Sequence, residues 1–381
     1  MQPFHFSVPQ DVIVGSGAAE QLGEAAKKLG GTHALIISGP HLTKMGHVKH
    51  CADLLAAAGI ASDAFTETEG NPSTDTVAKA ADMYKSCGAD FLVAFGGGSP
   101  MDVAKAVAVV AKFGGKITDY EGTNTVPGEP IPLIALPTTA GTGSEVTAAA
   151  VITDHARNYK LTVFDAKLIP KAAILDPDFL TTAPMGIAAA CGIDAMVHAI
   201  EAYISRAASP FSDAMAEKAL ALIGKNLRRY VANRTDLEAA SGMLTGSLFA
   251  GIAFSWARLG DVHAMSHPVS AYFNVPHGVA NAILLPTVMA FNSLADTGKY
   301  QNIYNYVALN PASEYFEPQD LVELLKEFNA DLGIPACLAD VGVQADKFDA
   351  MADDAMKSGN IAVNPRTTTK KDILALYQQA L

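Results

Sequence analysis

The stretch FLVAFGGGSPMDVAKAV, residues 91–107, reads as a buried strand that runs through three glycines into a helix. Phe91 to Phe95 are uniformly apolar, the mark of a strand covered on both faces. Gly96, Gly97 and Gly98 let the main chain turn sharply and approach a ligand closely. Ser99 suits an N-cap, Pro100 the first helical position, and Asp102 the acid of a capping box. A helix N-terminus offers unpaired N–H groups to an anion, so the segment describes a cradle for a diphosphate. It is neither the GxGxxG fingerprint nor a P-loop, and an ordinary tight strand-to-helix turn has the same outline.

Outward from this stretch the first half of the chain alternates. THALIIS (32–38) and PLIALP (132–137) are further short apolar runs of strand length. Helical patterns lie between them, in residues 18–30, 48–59 and 74–88, the last closed by Gly88. Strand and helix in repetition imply a parallel sheet with helices on its faces. LPTTAGTGSEVT (136–147) follows the third strand with four Thr and a Ser, a hydroxyl-rich loop able to bond phosphate or ribose oxygens. After DPDFL (176–180) the character changes to long helical segments, 185–205, 210–231 and 236–260. The expected architecture is an α/β dinucleotide-binding domain over 1–180 and an all-α domain over 181–381.

The helical half carries the second chemical signal. In GIDAMVHAIEAY (192–203), Asp194 and His198 stand four residues apart and share a helix face. His263, His267 and His277 follow in one later segment. One carboxylate and several imidazoles suit Fe or Zn better than Ca or Mg. Spacing alone does not choose between His263 and His267, and buried, hydrogen-bonded core histidines would give the same pattern.

Composition removes whole classes. Half of the 381 residues are apolar and 17% are charged, which excludes a disordered chain. A net charge of −12 argues against a nucleic-acid partner. MQPFHFSVPQ has neither the basic nor the apolar region of a signal peptide, and no unbroken apolar run of about 18 residues exists, so no membrane span is expected. Cys51, Cys87, Cys191 and Cys337 are scattered without a CxxC pair, as in free thiols of a reducing cytoplasm.

Taken together and in order, GGGSPMDVAKA, PTTAGTGSEVT, GIDAMVHAIEAY and VHAMSHPVSAYFNVPHGVANAILLP resemble the iron-containing (group III) alcohol dehydrogenases. DVIVGSGA (11–18), GNPS (70–73), AILDP (173–177) and NPR (364–366) extend the likeness over nearly the whole chain. The resemblance implies a Rossmann-like nucleotide domain followed by a helical metal domain, with the active site in the cleft. It places the four metal ligands on Asp194, His198, His263 and His277, and sets His267 near the nicotinamide as a proton relay. It implies diphosphate contacts in the Gly96–Ser99 turn, at Gly97, Gly98 and Ser99. Asn71, Thr138, Thr139, Thr142, Thr147 and Lys160 match positions that contact the rest of the dinucleotide. The implied activity is NAD(P)H-linked reduction of a short aldehyde, by a homo-oligomer. A glycerol-dehydrogenase-like or dehydroquinate-synthase-like enzyme would use another ligand set, and a non-catalytic protein would not need ligands and cradle together.

Two departures bear on specificity. NAD-preferring members of the family place Asp where this chain has Gly39, at the end of ALIISG, so the acidic filter against a 2′-phosphate is missing. No Arg stands nearby to bind that phosphate; His41 and Lys44 are the nearest basic groups, so NAD(H) is expected, with NADP(H) tolerated. In GIAFSWARLGDVHAMSHPVSA (251–271), Trp256 and Arg258 replace small polar residues of relatives, close to Phe254, which resembles a pocket-wall residue. At helical spacing Phe254 and Arg258 share a face, so Arg258 is a candidate partner for a carboxylate or sulfonate tail, as in sulfoacetaldehyde. Neutral aldehydes such as lactaldehyde, 3-hydroxypropionaldehyde or acetaldehyde are the alternative.

Overall fold

The computed structural model describes residues 4–8, 11–157 and 159–381. Packing divides them into an α/β unit, Ser7–Thr139 with Gly143–Thr181, and a helical unit, Thr182–Leu381 with Ala140–Thr142 and residues 4–6.

The α/β unit is built on six parallel strands. In chain order the unit's nine strands are β1 (Asp11–Val14), β2 (His33–Ile37), β3 (Ala61–Phe65), β4 (Phe91–Gly96), β5 (Gly122–Thr123), β6 (Leu133–Pro137), β7 (Ala149–Asp154), β8 (Tyr159–Phe164) and β9 (Ala172–Leu175). The main sheet runs β1-β9-β6-β4-β2-β3, and β5-β8-β7 form a small second sheet. Its helices are α1 (Leu22–Lys28), α2 (Pro40–Lys44), α3 (His47–Ala57), α4 (Thr74–Cys87) and α5 (Gly98–Phe113). Alternate residues feed two separate cores: Leu35, Ile37, Leu92 and Ala94 enter one, while Ala34, Ile36, Phe91, Val93 and Phe95 enter the other. A strand buried on both faces must be apolar throughout, which is why β2, β4 and β6 are legible in the sequence. The strands the sequence leaves unmarked are shorter or less buried. β1 and β3 are edge strands, and β7 alternates between buried and half-buried residues. Because β3 lies on one side of β2 and β4 on the other, strand order reverses there. The carboxyl ends of β2 and β4, at Gly39 and Gly96, therefore flank the crevice where open α/β sheets take their ligands.

The helical unit comprises α6 (Met185–Ile204), α7 (Pro210–Ala232), α8 (Leu237–Ala257), α9 (Asp261–Phe273), α10 (His277–Asn292), α11 (Lys299–Val307), α12 (Pro318–Asp331), α13 (Phe348–Lys357) and α14 (Lys370–Ala380). By length and mean hydropathy α6, α8 and the stretch from α10 to Ala295 are apolar enough to cross a membrane, which a search for unbroken apolar runs does not register. They are core helices here: α6 packs on α7, α8 and α10, and is buried almost throughout from Ala188 to Tyr203. A helix that is apolar all round marks the interior of a large helical domain as well as a membrane span.

Candidate metal centre and dinucleotide cradle

Three helices of one unit bring the histidines to the carboxylate. Asp194 and His198 project from one face of α6, His263 lies in the first turn of α9, and His277 opens α10. Gly278 makes the last approach possible, since a Cβ there would stand 2.2 Å from the Ala190 carbonyl oxygen of α6. Asp194 Oδ1 is 3.8 Å from His198 Nε2, 3.7 Å from His263 Nε2 and 3.9 Å from His277 Nε2. Ligand atoms of Asp194, His263 and His277 all lie within 4.8 Å of one another. The His198 ring lies parallel to that of His263, centroids 4.6 Å apart. Asp194, His198 and His263 are buried and His277 half-buried.

Charge makes this cluster unusual. Among the described residues no Lys or Arg pairs with Asp194; its neighbours of opposite sign are imidazoles. Burial works against the charged carboxylate, yet His198, His263 and His277 hold it well below the usual carboxylate range. Burial drives His198 down to about 4 in spite of Asp194. It also opposes a charge on His263, but Asp194 and Glu201 outweigh it and hold that imidazole up at about 9. Hydrogen bonds do not close the account. The Asn281 amide nitrogen sits at the focus, donating to Asp194 Oδ1 at 2.7 Å, with His263 Nε2 at 3.1 Å and His277 Nε2 at 3.2 Å. Two amide hydrogens face three acceptors, and Asn281 Oδ1, fully buried, has no partner. A surplus of buried N and O acceptors around one point is satisfied by a divalent cation, so the residues present fit Fe or Zn.

A second group of donors shows the contrast. His33, Asp63 and Cys87 also gather their ligand atoms, but at the surface, and His33 and Asp63 satisfy each other at 2.8 Å.

Around the centre, His267 stacks on His277 with ring centroids 5.2 Å apart and stands edge-on to His263 at 6.2 Å. Phe254 stacks on His198 at 4.5 Å, putting an aromatic wall beside the donors. Its two companions part from it. Trp256 meets the His5 ring edge-on at 5.6 Å. Arg258 caps α8 with φ 63° and ψ −172°, so it has left the helix, and the face it shares with Phe254 at ideal spacing does not exist. Its exposed guanidinium lies over Gly359.

In the α/β unit the glycine turn carries β4 into α5. Gly96 has φ 149°, open to glycine alone, and a Cβ there would also meet Pro100 Cγ at 2.7 Å. The helix starts one turn earlier than Ser99: Gly97 is the N-cap, with no side chain capping it, and Gly98, Ser99 and Pro100 form the first turn. Asp102 is accordingly no capping-box acid. It accepts from Ser144 Oγ at 3.1 Å and Val151 N at 3.3 Å, and burial pushes it up to about 6 against the pull of Lys105. The first-turn N–H groups of α5 are thus left for an anion. Thr139 stands beside Gly97, and Thr138 N donates to Gly96 O at 3.0 Å. Lys160 Nζ donates to Asn71 Oδ1 at 2.8 Å, joining two expected dinucleotide contacts. Thr147 is buried and its hydroxyl accepts from Lys105; Thr142 packs with the helical unit.

Three residues that matter here are absent from the sequence reading. Lys105, fully buried in α5, donates to Ser144 Oγ, Thr147 O, Thr147 Oγ1 and Ala149 O at 2.9–3.1 Å and so pins the hydroxyl-rich loop; burial lowers it to about 8. Its signal was a single charge in the apolar run VAKAVAVV. Glu201 accepts from His263 Nδ1, and lies one further turn along the Asp194–His198 face. Asn281 follows His277 by four residues on α10, the same i,i+4 relation that picked out Asp194 and His198.

Family models agree with this assembly: the iron-containing alcohol dehydrogenase model matches residues 9–177, and the C-terminal model of the same family matches residues 188–381. The chain is 37% identical to the NAD-dependent methanol dehydrogenase of Bacillus methanolicus, over 99% of this chain and all of that one. The crystal structure of a 1,3-propanediol oxidoreductase superposes with a TM-score of 0.96 at 36% identity, both chains fully covered. That of sulfoacetaldehyde reductase from Bifidobacterium kashiwanohense, in complex with NAD+, gives 0.91 at 28% identity, covering 100% of this chain and 99% of that one.

Proposed function

The chain belongs to the iron-containing alcohol dehydrogenase family, metal-dependent and NAD-linked, and from that premise we propose that it reduces a short-chain aldehyde at a centre held by Asp194, His198, His263 and His277. The observation that carries this reading is the buried surplus of acceptors at the Asn281 focus, beside the aromatic wall of Phe254. When bound, a divalent Fe or Zn ion supplies Lewis acidity to a carbonyl oxygen and the nicotinamide supplies hydride. The chain's own groups do the rest. Residues 181–381 hold the ion and residues 1–180 the dinucleotide. Main-chain N–H groups of Gly97, Gly98 and Ser99 receive the diphosphate; Asn71, Thr138, Thr139, Thr142, Thr147 and Lys160 order what surrounds it. Phe254 excludes water from one side of His198. His267, stacked on His277, relays a proton between its ring nitrogens. NAD(H) is the cofactor we favour, with NADP(H) tolerated because Gly39 offers no charge against a 2′-phosphate. A homo-oligomer in the cytoplasm completes the proposal.

Phe254 as the side chain stacked on His198 favours a neutral aldehyde. A second reading, an aldehyde with a sulfonate or carboxylate tail, is favoured by the exposed charge of Arg258 and by the likeness to a sulfoacetaldehyde reductase. Following NADH oxidation with sulfoacetaldehyde and with propionaldehyde tests both. On the neutral reading Arg258→Ala changes the two efficiencies equally. A loss confined to the sulfonate, about tenfold to a hundredfold for one charge-assisted hydrogen bond, establishes the anionic reading instead. No turnover of any short aldehyde by metal-loaded protein defeats the proposal.

A further inference from the structure

His263 is gripped from behind. Glu201, 2% exposed, extends from α6 to the start of α9 and spends both carboxylate oxygens there. Oε2 accepts from His263 Nδ1 at 2.5 Å and Oε1 accepts from the Val262 N–H at 2.7 Å. Among the described residues Glu201 has no Lys or Arg partner; its one ion pair is with His263. The chain can pass this close only because residue 260 is glycine, where a Cβ would stand 2.9 Å from both Glu201 Oε1 and Asn364 Oδ1. Asn364 Oδ1 in turn accepts from Asp261 N at 3.2 Å, and Thr368 donates to Asp261 Oδ2, so the C-terminal NPR segment braces the same turn.

A carboxylate can only accept. With one oxygen committed to a main-chain N–H, the other requires His263 to carry its proton on Nδ1, leaving the Nε2 lone pair aimed at the Asp194–Asn281 focus. We propose that Glu201 is a positioning residue that locks His263 in its metal-binding tautomer and thereby sets how tightly the centre holds its ion. The proposal rests on the reading of the cluster as a metal centre.

Glu201→Gln tests it with nearly the same shape. The amide has one acceptor and one donor where the carboxylate has two acceptors. If its oxygen keeps the Val262 N–H, its NH2 meets His263 Nδ1 and drives the proton to Nε2, toward the ion. Zinc affinity, measured on the full-length protein by competition with a chromogenic chelator, is expected to fall 10- to 100-fold. In a His263→Ala background the same substitution is expected to change affinity less than twofold, which a general loss of packing would not reproduce. Equal affinity in Glu201→Gln and wild type, or an equal loss in both backgrounds, overturns the proposal. Ring-nitrogen NMR of the histidine-labelled, zinc-loaded wild type gives a check that needs no variant at Glu201. Assigned through loss of its signal in His263→Ala, His263 should show a protonated Nδ1, and the opposite tautomer overturns the proposal equally. A wild type that binds no ion defeats the metal reading itself; a wild type that binds, with affinity unmoved in the variant, defeats only the role of Glu201.

Discussion

The two units make their sites from different parts of the chain. In the helical unit the chemistry is carried by side chains: a carboxylate, three imidazoles and an amide meet at one point. In the α/β unit it is carried by main chain: an uncapped helix start reached through glycines that need the space of a missing side chain. The first kind of site is lost when a side chain is removed. The second is lost when one is added.

The largest effect should follow from deleting a donor. His198→Ala removes a buried imidazole beside Asp194 and leaves less to hold the ion against competition from water. Lewis-acid stabilisation is worth several kcal/mol, so catalytic efficiency should drop by about a thousandfold or more. Metal content by mass spectrometry should fall with it, while NADH binding, followed by nucleotide fluorescence, should stay within about twofold. A variant that keeps both metal and activity would remove His198 from the donor set.

Adding a side chain should produce the complementary pattern. At Gly97 a Cβ stands 3.1 Å from Thr139 Oγ1, tight enough that the loop must shift, and a branched side chain would cover the first-turn N–H groups of α5. Gly97→Val should weaken NADH binding by about tenfold or more, the loss of one to two charge-assisted hydrogen bonds, and leave metal content unchanged. Loss of metal along with NADH in this variant would mean that the two sites are not separable as the comparison claims.

The same division explains what could be read in advance. Asp194 and His198 announce themselves because chemistry-bearing side chains recur at the helical period, and β2, β4 and β6 because burial on both faces excludes polar residues. Edge strands such as β3, with its sequence ASDAF, carry no such constraint. Residues that act on other residues are hidden for a different reason. Nothing in Lys105, Glu201 or Asn281 names its partner, since Lys105 binds a loop some forty residues onward and Glu201 a turn about sixty residues away. Arg258 shows the opposite failure: helical spacing puts it beside Phe254, but the helix stops at Ala257. Side-chain spacing is informative only while the element that defines it continues.

The smallest effect tests the place where the two kinds of site meet in one residue. Gly39 ends β2, next to the glycine turn of β4 in sheet order, and serves through absence: it presents neither charge nor hydrogen-bond acceptor to a ribose. Its backbone, φ −110° and ψ 165°, is ordinary extended geometry that Asp adopts without strain. The new Cβ would lie 3.1 Å from Thr68 O, so that carbonyl has to yield by a few tenths of an ångström, and a fall in melting temperature of a few degrees is expected. In return Gly39→Asp gains an acceptor for a 2′-hydroxyl and a charge that repels a 2′-phosphate. Even at the lower end of a charge-assisted hydrogen bond, about 1.5 kcal/mol, the ratio of NADH to NADPH efficiency should rise about tenfold. The rise should come mainly from a higher KM for NADPH, because repulsion acts on a group remote from the hydride. An unchanged ratio in a folded, metal-loaded variant would place the ribose away from residue 39, and the cofactor preference would then have to be sought at His41 and Lys44 on α2.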